Sequence, residues 1–330
     1  MFLTDKYHAL LPLHSAPATR APRKAVVPAV TSRFDAALAA RLASLLPLPA
    51  SPLAALARLA DLLAATLVDA VPALAAGPGD GKKDAVAVAA HLDAGVALLD
   101  ACNAIAARVD RLRRRRLLSR LALHLVSSSP PSPSSLSRAR AALADRDGRG
   151  AVAPALPALP SIPFVDPPRG GRGQQLTAAA RVVLAVNAVS SLAATAAATI
   201  LGGTSSTNRD PTFPQVSGDL PWAESFNAVS SQLSALAKSA NSNEIDAADE
   251  AVGKLAAVLG GVSEGAAPEE AALRTATQEV EKRTEELAAR LERVSDAVNG
   301  VFRAALRLRN AELGSFMAAG PAGKAPRSKK

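Results

Sequence analysis

The chain has 330 residues with 49% hydrophobic and 20% charged side chains, enough apolar surface to offset the entropy of ordering a core, which excludes a wholly disordered protein. Alanine and leucine dominate while aromatic residues make only 3%, so good helix formers are abundant, strand formers are scarce, and an all-α protein is expected. A net charge of +9 predicts attraction to acidic surfaces, and the single cysteine, Cys102, excludes an internal disulfide framework and any multi-cysteine zinc site.

Residues 1–33 are poor in acid, with Asp5 set against Lys6, Arg20, Arg23, Lys24 and Arg33. That composition suits a disordered basic extension or an organelle transit peptide; no apolar run is long enough for a secretory signal. Helical periodicity starts at Phe34 and continues through Leu38, Leu42 and Leu45 to Pro47. Ser51 followed by Pro52 marks the start of a second helix, with Leu53, Leu56, Leu59, Leu63 and Leu67 on one face and Pro72 as its stop.

Residues 84–126 form an unbroken pattern without proline. Its predicted seam is Val88, Leu92, Val96, Leu99, Ile105, Val109, Leu112, Leu117, Leu121 and Leu125. A shorter helix is expected to end near Ala144, followed by a Pro/Gly-rich linker at about 146–175. Residues 176–201 are helical and carry one charge, Arg181; the uncharged stretch 182–203 meets the length of a membrane span, but its alanine, Ser and Thr content favours the central helix of a bundle. Further helices are expected after Pro221, with Trp222, Phe226, Val229, Leu233 and Leu236 on one face, and around Ile245 to Leu259.

The last helix is the most regular. Leu273, Val280, Leu287, Val294, Val301 and Leu308 recur every seven residues, with Leu291, Val298 and Ala305 at companion positions preceded by Thr277 and Thr284. Its length matches that of the 84–126 helix, so the two are expected side by side in an elongated bundle spanning 34–316, closed by a basic tail at 317–330. Threonine at two core positions is poor for a dimer interface and favours a seam within one chain; the oligomeric state stays open.

Seven arginines crowd into thirteen residues: Arg108, Arg111, Arg113, Arg114, Arg115, Arg116 and Arg120, against Asp110. Four consecutive cations span more than a helical turn and cannot share one face. Two readings follow: a patch for an anionic partner, either an acidic protein or an anionic membrane surface, or a helix surface paired with Glu279, Glu281, Glu285 and Glu286. Nucleic acid is disfavoured, because aromatic platforms and reader motifs are lacking. Gly77 to Lys83 lacks the phosphate-loop spacing, a single Arg169 to Gly173 arginine-glycine run is weak, and His91 and Asp93 do not share a helix face. No catalytic residue, cofactor site or metal site is expected.

The segment Leu98-Leu99-Asp100-Ala101-Cys102-Asn103-Ala104-Ile105, then Leu121 to Leu125 and Ser135-Leu136-Ser137-Arg138-Ala139-Arg140-Ala141-Ala142-Leu143, resembles the plant BYPASS-related family. Leu220-Pro221-Trp222-Ala223 and Arg307-Leu308-Arg309-Asn310 continue the similarity in the same order. The resemblance implies a non-enzymatic plant regulator of root and shoot development that restrains a root-derived mobile signal. It also implies contact with exocyst subunits, as in related members. The expected location is cytoplasmic, at the periphery of endomembranes; the alternative, drawn from the uncharged stretch, is a trafficking adaptor anchored through residues 182–203. A plastid location would follow from a transit peptide.

Overall fold

The computed structural model describes residues 29–75, 82–127, 132–146, 176–202, 212–216, 219–239, 243–261 and 270–318. Among these the protein is all-α, with eight helices and no strand: α1 (Ala29–Leu45), α2 (Pro52–Ala75), α3 (Lys82–Val126), α4 (Pro133–Arg146), α5 (Ala178–Leu201), α6 (Ala223–Lys238), α7 (Glu244–Gly260) and α8 (Glu270–Ala318). The phosphate-loop-like glycines, the arginine-glycine run, the 147–175 linker and the His91 side chain lie outside the described residues.

Side-chain caps mark the start of three helices. Ser51 Oγ accepts the amide of Ala54 at 3.1 Å, Thr177 Oγ1 that of Ala180 at 3.2 Å, and Asn243 Oδ1 that of Ile245 at 3.1 Å, each satisfying an amide that a helix N-terminus leaves unpaired. Two boundaries differ from expectation. The first helix begins at Ala29 rather than Phe34 and buries Thr31, so it takes up part of the predicted extension. Pro72 lies inside α2 instead of ending it. The carbonyl that proline deprives of a donor belongs to Val68, whose residue is 48% exposed, so solvent can satisfy it.

The helices enclose two hydrophobic cores that share α3 and α8. In the larger, α2 packs on α8, α8 on α3, α3 on α5 and α5 back on α2, a four-helix ring in which the two long helices are neighbours; α1 packs on α2 and α5, and α6 on α1 and α5. In the smaller, the C-terminal half of α3 and the N-terminal part of α8 pack with α4 and α7. The long helices are antiparallel: Arg113 meets Glu292, and one turn further along α3 Arg116 meets Glu285. At 1.5 Å per residue α3 and α8 are roughly 70 Å long.

The heptad residues of α8 supply both cores. Leu273 and Val280 sit in the smaller; Leu287, Leu291, Val294, Val298, Val301 and Leu308 sit in the larger, all buried. Thr284 occupies its core position without an orphaned hydroxyl, because Oγ1 donates to the carbonyl of Val280 at 2.7 Å. Gly300 is the one glycine of the packed stretch, and a Cβ there would meet Ala64 Cβ at an ordinary 3.9 Å. Gly300→Ala should therefore stabilise the protein by roughly 0.5–1 kcal/mol in urea unfolding, through reduced freedom of the unfolded chain.

Helix α5 is the one described helix long and apolar enough to cross a membrane, and 72% of its most apolar window is buried inside the bundle. Its lone charge, Arg181, forms an ion pair of 2.5 Å with Asp35 of α1, which is 2% exposed. Trp222 precedes α6, fully buried, and meets the Phe226 ring edge-on at 5.8 Å between centroids.

Candidate interaction surface on α3

The arginine run occurs where α3 passes between α4, α7 and α8, and most of it is spent inside the protein. Arg113 donates to Asp110 at 3.0 Å and to Glu292 at 2.8 Å. Arg115 reaches Asp249 of α7 at 2.8 Å, and one Arg116 nitrogen lies 3.0 Å from both carboxylate oxygens of Glu285. Arg108 contacts the carbonyl of Leu201 at 3.4 Å, placing a cation at the negative end of α5. Of the four glutamates expected to pair with the run, only Glu285 does so; Glu279 and Glu286 pair with Arg283, and Glu281 forms no ion pair among the described residues.

Three arginines point outward. Arg114 has a 73% exposed side chain and a 3.8 Å contact to Asp145, Arg120 is 56% exposed and 3.5 Å from Glu285, and Arg111 is exposed with no ion pair among the described residues. Between them stand Leu117, 62% exposed, and Leu121, 44% exposed, one turn apart. Both were expected in the α3 seam. The inner line instead runs through Val109, Ser119, Ala122 and Val126, and Leu117 lies about 160° around the helix from Ser119. Small side chains at 119 and 122 let α3 pack closely, with Ser119 Oγ donating to the carbonyl of Arg115 at 3.0 Å.

This geometry divides the run into ion-paired and outward members. Arg115→Gln should cost about 1 kcal/mol in urea unfolding, since both partners are only partly solvated, whereas Arg114→Gln should change stability by less than about 0.5 kcal/mol. Replacing Arg113 to Arg116 together would also remove links to α7 and α8, so the outward residues are the ones to vary when binding is measured.

Among the described residues little else resembles a site for a small molecule. Among the described residues no group of three or more His, Cys, Asp or Glu side chains could hold a metal ion. A cavity of about 20 Å³ beside Leu67, Leu98, Asn187 and Leu308 has room for about one water. An open groove of about 780 Å³ runs between α7 and α8, floored by Ala251, Ala272 and Ala276. Burial pushes the Cys102 thiol up to about 12, so it stays protonated at neutral pH. The chain matches no family model, no curated protein and no solved structure in comparisons with each.

Proposed function

We propose that this chain is a non-catalytic scaffold or regulator whose protein partners dock on the outer face of α3. The observation that carries the proposal is the pair Leu117 and Leu121, held out in solvent one turn apart within a rim of Arg111, Arg114 and Arg120. An amphipathic partner helix with apolar anchors and acidic flanks is the complementary surface. The resemblance to BYPASS-related proteins supports the same class: a plant developmental regulator that restrains a root-derived mobile signal, with exocyst subunits among its partners.

Proximity labelling in plant cells tests this, comparing the wild type with a Leu117→Ser/Leu121→Ser variant. Both leucines are exposed, so the fold should survive the change. The variant is expected to lose a defined set of neighbours, exocyst subunits included; identical neighbour sets would refute docking on this face. The proposed location is the cytoplasm, at the periphery of endomembranes.

A second reading, a trafficking adaptor anchored by residues 182–203, draws on the length and hydropathy of α5. It requires a helix with most of its apolar window inside the bundle to leave that core, which favours the peripheral form. Carbonate extraction distinguishes them: the peripheral protein is released, whereas an anchored one stays in the pellet.

A further inference from the structure

A second group of cations without ion pairs among the described residues lies on α8, well beyond the arginine run. From Ala297 to Ala311 helix α8 carries Arg303, Arg307 and Arg309 and no acidic residue. None of the three forms an ion pair among the described residues; Arg303 donates only to the carbonyl of Asn299 in its own helix, at 3.1 Å. The next acidic residue, Glu312, is 7% exposed and turned inward. Leu306 and Leu313, two turns apart, are 37% and 41% exposed, with Arg303, Arg307 and Asn310 exposed on the same side of the helix. Phe302, half-buried against the larger core, borders this strip. From Arg303 to Lys330 the sequence carries seven cations and one carboxylate, Glu312.

We propose that this face of α8 docks on an anionic lipid surface. Unpaired guanidinium groups beside protruding leucines match a bilayer interface, where the apolar side chains enter the acyl boundary and the cations meet headgroup phosphates and carboxylates. A lipid array imposes no fixed hydrogen-bond pattern, in keeping with arginines that no neighbouring carboxylate orients. The face is separate from the α3 surface: Glu285, beside Arg116, and Leu306 are 21 residues apart on α8, roughly 30 Å along the axis.

Sedimentation of the full chain with phosphatidylcholine vesicles, with and without phosphatidylserine, tests the assignment. The wild type should bind the phosphatidylserine vesicles, and raised salt should weaken the binding. Arg303→Gln/Arg307→Gln should weaken it about 25-fold, at about fivefold per arginine, and Leu306→Ser/Leu313→Ser should weaken it as well. Arg111→Gln/Arg114→Gln on α3 should leave it unchanged. Circular dichroism should show the same helix content in every variant, since every replaced residue is exposed. Equal binding to phosphatidylcholine alone, no vesicle binding, as expected of a surface for an acidic protein, or undiminished binding by Arg303→Gln/Arg307→Gln would each overturn the proposal.

Discussion

Val294→Asp should unfold the protein or lower its melting temperature far more than any surface substitution. Val294 is fully buried in the larger core, midway along the α8 heptads. Its nearest cations in sequence are engaged elsewhere: Arg293 with Asp61, and Arg290 with Glu244 at 3.1 Å. A carboxylate introduced there would meet an apolar seam with no spare cation, at a cost of several kcal/mol against a total stability on the order of 5–15 kcal/mol. Glu281→Gln, on the exposed side of the same helix, should leave the melting temperature nearly unchanged. Glu285 is a poor control, because it serves both Arg116 and Arg120. A variant that melted like the wild type would show that the buried seam is dispensable for folding.

The second large effect concerns the ion pair between α1 and α5. Arg181→Leu would strand Asp35, whose Oδ1 already lacks a hydrogen-bond partner, and should cost about 3–5 kcal/mol in urea unfolding. Asp35→Leu/Arg181→Leu should recover most of that loss, because two apolar side chains avoid the desolvation of both charges. If the double variant were no more stable than Arg181→Leu, the cost would come from packing around Arg181 rather than from the stranded carboxylate.

The parts of the fold visible in the sequence are those fixed by short-range periodicity. The seven-residue recurrence from Leu273 to Leu308 marks a helix facing neighbours along its whole length, and the Phe34, Leu38, Leu42 and Leu45 spacing marks the buried face of α1. Leu117 and Leu121 show the limit of that signal. Leucines at helical spacing look like core when read alone, but burial depends on which turns face α4 and α8, and there Ser119 and Ala122 take the inner positions. Of the arginine partners, Glu285 is legible as a glutamate on the facing heptad helix, whereas Asp249 and Glu292 lie 134 and 179 residues from the arginines they meet, with no local pattern that marks them. The Asp35–Arg181 pair left one trace, a lone charge on an otherwise uncharged helix.

The free cations of α8, Arg303, Arg307 and Arg309, form no consecutive run and so leave only a weak local mark in the sequence. The relevant signal was the absence of acid from Ala297 to Ala311, next to a run whose charge is largely answered by α7 and α8.

The most direct test of the antiparallel sharing of α3 and α8 is the distance between spin labels on the two helices. Labels would replace Arg120 and Glu285 in one variant and Arg120 and Arg307 in another; native Cys102, buried with its thiol pKa near 12, would escape labelling. The first pair should be close, below about 20 Å, and the second farther apart by a large part of the roughly 33 Å rise from 285 to 307. A long distance for Arg120 with Glu285, or a short one seen only when two singly labelled chains are mixed, would contradict the fold and make the α8 seam an interface between molecules.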